Sequence, residues 1–226
     1  MPAASAPPTF PFPPSLPLPV VGVVLTGGAS TRMGCPKALL PMPDGLPLAA
    51  RQVLTLLQAG CKSVLVVGGA HFDPISDALA ALPAFAGLPW RLLLNPNWRK
   101  GRITTVQTAL HALKSPYLAS AALFLPVDAA GIRPETLFLL LSAFQKGLGE
   151  RKTPLRPTYN GQKGNALLVP AAQFEAILAL PPTDRLDQWA APRALPVPLP
   201  DPALLANCNT PAQWSDLRGN LARESR

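Results

Sequence analysis

Apolar residues fall along this chain in two alternating patterns. Short unbroken runs, VVGVVL (20–25), SVLVVGG (63–69), RLLLN (91–95) and AALFLPVD (121–128), are rich in β-branched and leucine side chains. Runs of that length without period-two alternation read as strands buried on both sides. Between them the apolar positions take helical spacing. Residues 47–59 place Leu48, Val53, Leu54, Leu56 and Leu57 on one face and stop at Gly60. Residues 73–82 offer Asp73 as a cap with Pro74 at the first helical position, and 104–114 and the Pro-started 134–146 continue the series. This alternation predicts a Rossmann-like three-layer α/β/α sandwich around a mostly parallel central sheet. Ligands in such sheets bind beyond the carboxyl ends of the strands, which directs attention to the loops after Leu25, Val67, Leu94 and Leu125.

Past residue 150 the pattern loosens. RPTYNGQKGNALLVP reads as two short strands around a turn at Asn160-Gly161, followed by helices over 171–179 and 183–190, a strand near 195–199 and a last helix after Pro211. Residues 1–19 carry eight prolines, no charged side chain and no periodicity, the signature of a disordered or polyproline-like tail. The prolines interrupt any apolar core that a secretory signal would need. Residues 20–226 are thus expected to form a single domain.

Composition narrows the class. The 226 residues are 48% hydrophobic and 14% charged, which argues against wholesale disorder, and the apolar runs are too short for a membrane-spanning helix. A net charge of +8 invites nucleic acid as a partner, but the Lys and Arg residues are scattered and sit beside no aromatic stripe. Small polyphosphates suit that distribution better, so neither nucleic acid nor membrane is expected as a partner. Cys35, Cys61 and Cys208 form no C-x-x-C pair and suit neither a disulfide framework nor zinc, and a reduced, cytoplasmic protein is the expectation.

The loop LTGGASTRMGCPKALLP, residues 25–41, carries the clearest chemistry. Glycines directly after a strand let the backbone approach a ligand, and free amides followed by Ser30, Thr31, Arg32 and Lys37 make an anion cradle. From glycine and charge alone, a plain turn with solvated cations reads equally well. Neither the Walker A spacing nor G-x-G-x-x-G is present.

The string G-G-x-S-x-R-M-G-x-x-K-x-L-L-P, running from Gly27 to Pro41, resembles the signature loop of the MobA-like nucleotidyltransferases, which include enzymes that attach GMP or CMP to molybdopterin. Three more segments resemble the family in order. LLLNPNWRKGRITTVQTAL (92–110) is similar to its N-P-x-W-x-x-G segment, with Thr104 and Thr105 where serine is usual. LFLPVDAAGIRPETL (123–137) is similar to the strand ending in L-P-x-D, and LLANCNTPAQW (204–214) to the closing N-x-N-T-P-E segment.

The resemblance implies a fold shared with nucleotide-diphospho-sugar transferases and transfer of a nucleotidyl group from an NTP, CTP or GTP above all, to a phosphorylated small-molecule acceptor. It puts the nucleotide against Leu25, Gly27, Gly28, Ser30, Arg32, Lys37, Gly101, Thr104 and Thr105, makes Arg32, Lys37 and Asp128 the catalytic set, and assigns Mg²⁺ to Asp128 and Asn209. The Asp128 assignment also has a physical basis, since one carboxylate after a central strand, facing a phosphate loop, suits magnesium's sparse protein ligation. Asp128 also reads as a helix cap before Pro134, and Asn209 as a helix-entry residue.

Two departures stand out. Asp128-Ala129-Ala130 replaces D-x-P or D-H-P, and Gly164-Asn165-Ala166 replaces G-H-P or G-R-P, both on the expected acceptor side. Two other readings stay open: a sugar-1-phosphate nucleotidylyltransferase, which would share every site residue named above, and a nucleotide-binding protein without catalysis, which the Ala129-Ala130 departure keeps alive. His71 and His111 lack a cluster that would make zinc or a hydrolase triad, and Trp90, Trp98, Trp189 and Trp214 read as packing residues. Cys35 reads as an incidental small residue in the loop.

Overall fold

The computed structural model describes residues 16–114 and 119–224. Four strands with three intervening helices open the fold: β1 (Val20–Thr26), α1 (Leu48–Gln58), β2 (Ser63–Gly68), α2 (Phe72–Ala80), β3 (Trp90–Leu94), α3 (Ile103–Ala112) and β4 (Ala121–Pro126). There follow α4 (Pro134–Gln145), β5 (Leu155–Tyr159), β6 (Gln162–Lys163), β7 (Leu167–Pro170), α5 (Phe174–Leu178), α6 (Leu186–Ala190), β8 (Leu195–Pro198) and α7 (Pro211–Glu224).

The sheet runs β3-β2-β1-β4-β7-β5-β6, with β8 also paired to β5. Strands β3, β2, β1 and β4 are parallel neighbours, as their continuous apolar runs predict. β7 breaks the pattern by running antiparallel to both β4 and β5. The chain between β5 and β7 is too short for a crossover helix, so it turns back as a hairpin and fills the gap that the α4 crossover leaves between β4 and β5. Asn160 (φ 47°) and Gly161 (φ 77°) make that turn, as the Asn-Gly pair predicts.

Side chains alternate across the sheet into two cores. Val20, Val24, Val64, Val66, Leu123 and Leu125 pack under α1, α2 and α4, while Val21, Val23, Leu65, Val67 and Phe124 pack under α3, α5 and α6. Leu54, Leu56, Leu110, Phe124 and Phe144 are fully buried, and trimming any one to alanine costs about 2–5 kcal/mol. The helix expected over 73–82 begins at Phe72, with His71 at the capping position and no side-chain cap. Asp73 lies instead in the first turn, where its charge meets the positive end of the helix dipole. Of the nineteen-residue proline-rich stretch, residues 1–15 lie outside the described part. Leu16 and Leu18 pack on the core, and Leu18 exchanges two hydrogen bonds with the Gln145 side chain, at 3.0 and 2.8 Å. Among the described residues no helix is long and apolar enough to cross a membrane.

Candidate active site

Strand order reverses between β1 and β4: from β1 the chain builds outward to β2 and β3, then returns through α3 to the other side. Crevices form at such switch points, and both neighbouring strands deliver polar residues there. A cleft of about 830 Å³ opens at their carboxyl ends. The residues 27–37 leave β1 along one wall, Asp128 stands on the loop after β4, and Asn209 enters from the segment before α7.

The centre of the site is a three-residue clasp. Lys37 Nζ lies 2.8 Å from Asp128 Oδ2 and 2.8 Å from Asn209 Oδ1, and Arg32 Nη2 donates to the same Asn209 oxygen at 3.3 Å. Three residues far apart in sequence meet here, and the Lys37 and Asp128 side chains keep only 12% and 23% of their surface exposed.

Each member of the clasp is held from behind. Ser30 adopts a left-handed conformation (φ 53°), and its Oγ accepts the Lys37 N–H at 3.2 Å, closing the loop on itself. The buried Gln52 of α1 donates Nε2 to the carbonyls of Ala129, at 3.0 Å, and Val127, at 3.4 Å, which fixes the loop that carries Asp128. Asn209 is set by a capping box on α7: Gln213 Oε1 accepts the N–H groups of Asn209 and Thr210, while Thr210 Oγ1 accepts the Gln213 N–H. The Thr-Pro-Ala-Gln spacing of that box was available in the sequence.

The second wall of the nucleotide side comes from α3. A Cβ on Gly27 would run into Thr105 Oγ1, so only glycine lets the loop pass this helix. Buried Asn95 donates Nδ2 to Thr104 Oγ1 at 2.9 Å and Thr105 Oγ1 at 3.0 Å, tying β3 to the start of α3. Leu25, Gly27, Gly28, Ser30, Arg32, Lys37 and Thr105 all line the cleft with Asp128 and Asn209. Gly101 and Thr104 stand behind that lining. Thr104 Oγ1 sits 2.7 Å from the Gly101 carbonyl, and Gly101 (φ 151°) passes so close to the Pro182 carbonyl that a Cβ could not fit.

The two departures from the family pattern part company. Ala129 and Ala130 are buried in the core beneath α1 and α4 and do not face the cleft, contrary to the expectation that they lie beside an acceptor. Their small side chains let the loop pack down where a larger residue would push it out. Asn165 does line the cleft, donates Nδ2 to the Ala206 carbonyl at 2.9 Å and accepts from Asn207 at 3.1 Å, so it anchors the segment that presents Asn209.

Trp98, read from the sequence as a packing residue, lines the cleft, as do Arg102, Arg156, Lys163 and Arg185, which the sequence did not single out. His71 reaches the first loop, with Nε2 3.1 Å from the Ala29 carbonyl, whereas His111 is exposed on α3. Cys208 lies under the clasp, and its N–H donates to the Asp128 carbonyl at 2.9 Å. Burial, aided by the Asp128 charge, pushes its thiol up to about 11.

The donor set fits a divalent cation. A carboxylate and an amide oxygen already converge on one ammonium, both are hard ligands, and among the described residues no group of three His, Cys, Asp or Glu forms a closed cage. Two protein oxygens with the remaining positions open is the ligation magnesium favours when it is shared with phosphates.

Known proteins resemble this chain in sequence and in fold. A family model described as the MobA-like NTP transferase domain matches residues 22–197. A molybdenum cofactor guanylyltransferase of Xanthomonas euvesicatoria pv. vesicatoria is 29% identical over 203 residues, 88% of this chain and 94% of that protein. A nicotine blue oxidoreductase of Paenarthrobacter nicotinovorans is 33% identical over 138 residues, 57% of this chain and 58% of that one. In fold, a nucleotidyl transferase from Methanothermobacter thermautotrophicus superposes with a TM-score of 0.71 at 19% identity, covering 91% of this chain and 98% of the other.

Proposed function

Because the chain belongs to the MobA-like NTP transferase family, we propose that it moves a nucleotidyl group from GTP or CTP to a phosphorylated small molecule of the molybdopterin type, with Mg²⁺ and release of pyrophosphate. The observation that carries this reading is the clasp, in which Lys37 already bridges Asp128 and Asn209 at the switch point of the sheet. The Xanthomonas relative, aligned over most of both chains, favours guanylyl transfer to a molybdenum cofactor.

The chemistry needs positioning and charge neutralisation more than a covalent partner. The amides of Gly27 and Gly28 lie against the triphosphate, with Leu25, Ser30 and Thr105 shaping the same wall. Arg32 and Lys37 neutralise the phosphates, and their charge offsets what accumulates on the departing pyrophosphate. Asp128 and Asn209 would hold Mg²⁺, which when bound screens the charge between triphosphate and acceptor. An acceptor phosphate oxygen forms a bond to the α-phosphorus while the bond to the β-phosphate oxygen breaks, and the electron pair leaves on pyrophosphate. A phosphate nucleophile is ionised at neutral pH, so no side chain needs to act as general base. Gly101 and Thr104 serve this scheme by holding the α3 wall in place.

A thermal-shift panel of GTP, CTP, ATP and UTP with MgCl₂ tests the reading, because a ligand that binds only the folded state raises its melting temperature. One triphosphate is expected to give a magnesium-dependent shift that disappears in Asp128→Ala. A panel without any shift refutes it. The likeness to nicotine blue oxidoreductase supports a redox alternative, which predicts electron transfer and no pyrophosphate release with any acceptor.

A further inference from the structure

The scheme above leaves a cluster on the β5 side of the cleft unused. Arg156, the second residue of β5, lines the cleft together with Lys163 of β6, Arg185 and Asp187. Arg185 grips Asp187 with two bonds, Nε to Oδ1 at 3.0 Å and Nη2 to Oδ2 at 2.9 Å. That pair is formally neutral, so the cations with no hydrogen-bonded carboxylate among the described residues are Arg156 and Lys163.

Arg156 is the unusual member. Its Nε is shut off from solvent yet has no hydrogen-bond partner among the described residues, and no carboxylate there forms an ion pair with it. Burial pulls its pKa below the ordinary arginine value, with the Asp187 charge acting in the opposite direction. A guanidinium remains charged at neutral pH all the same. Holding a half-buried cation whose nearest carboxylate is already bonded to Arg185 costs stability, and a ligand anion that bonds to it offsets that cost. The backbone of Arg156 is fixed by pairing of β5 with β8, so the side chain cannot leave the cleft wall by a simple loop movement.

We infer that Arg156, with Lys163 beside it, forms a second anion subsite, which takes the phosphate monoester of the acceptor opposite the Arg32/Lys37 loop. The inference rests on the nucleotidyl-transfer reading and adds the residue that receives the attacking group. Two cationic poles let one cleft hold two phosphorylated ligands that would otherwise repel each other. A planar guanidinium can grip two oxygens of a phosphate and leave the third free to attack. Arg156 thereby selects a phosphorylated acceptor against its unphosphorylated counterpart.

The test uses glycerol 2-phosphate as the monoester probe, titrated calorimetrically into protein saturated with MgCl₂ and the α,β-methylene analogue of whichever triphosphate responds in the panel. The wild type binds the monoester beside the analogue, and Arg156→Gln weakens the monoester about tenfold while leaving the analogue's affinity unchanged. Lys37→Met shows the reverse pattern. Arg156→Gln also melts no lower than the wild type, because it removes a half-buried charge with no bonded carboxylate, and Arg156→Lys falls between the two in monoester affinity.

Equal monoester binding in wild type and Arg156→Gln overturns the inference. So does a wild type that binds no monoester, a monoester that displaces the analogue, or an Arg156→Gln protein that loses stability and analogue binding together. If no analogue binds the wild type, the nucleotidyl-transfer reading fails by itself, and titration of the monoester without analogue still decides the subsite.

Discussion

On the β1 side of the cleft Arg32 and Lys37 are already engaged by protein oxygens, whereas on the β5 side Arg156 and Lys163 have none among the described residues. Lys37 bridges Asp128 and Asn209, and each of those three residues is braced by another: Ser30, Gln52 and the Gln213 capping box. Arg156 has a buried Nε with no hydrogen-bond partner among the described residues, and its neighbour Arg185 is taken up by Asp187. The first wall is organised before a ligand arrives. The second is completed only by what binds to it. A preorganised wall acts chiefly on the rate of the chemical step, and an incomplete one on recognition of the second substrate.

The sharpest way to break this contrast is Asp128→Ala, which removes the carboxylate from the clasp and is expected to lower the rate of pyrophosphate release about 10²–10³-fold. Rates within a few-fold of wild type would mean that the clasp is not the reacting centre. Lys37→Ala comes next, with about 10²-fold off kcat and little change in acceptor KM. If its loss appeared in acceptor KM instead, the division of labour between the walls would be wrong.

Gly27→Ala probes the bracing rather than the charges. The new methyl meets Thr105 Oγ1, and overpacking of this kind costs about 1–3 kcal/mol, read as a melting temperature lowered by about 2–4 °C per kcal/mol. Adding Thr105→Ala to Gly27→Ala should restore much of that loss, and failure to do so would locate the strain elsewhere.

The smallest effect concerns Cys208. Its folded pKa of about 11 lies above the ordinary 9.0, so the folded state holds the proton more tightly. The stability this contributes is complete below about pH 9 and fades as pH rises through 11. Thermal melts between pH 8 and 11 should decline less steeply in Cys208→Ala than in the wild type.

The same contrast explains what was legible in the sequence. The β1 loop, Asp128 and Asn209 stood out through their resemblance to ordered segments of the family, glycine and charge alone leaving a plain turn equally open, while the continuous runs of β1 to β4 announced a parallel sheet. Arg156 sits in Arg-Pro-Thr-Tyr, where nothing in the local pattern separates a cleft residue from a solvated one. Only the hairpin that inserts β7 beside β4, and the packing of β5 beyond it, bring that side chain to the cleft. The LLVP run of β7 gave no clue to its direction, since a buried strand has the same composition whichever way it runs. Ala129 and Ala130 were placed on the acceptor side by adjacency to Asp128, but the chain turns inward immediately after that residue and buries both.

The grip of Gln145 on Leu18 has a practical meaning for anyone handling the molecule. It anchors the segment before β1 beside the start of that strand, while the cleft opens at the other end of its seven residues, ~20 Å away. Leu16 and Leu18 therefore mark the rear of the sheet, and a label placed on either side chain reports on the core under α4 without entering the mouth of the cleft.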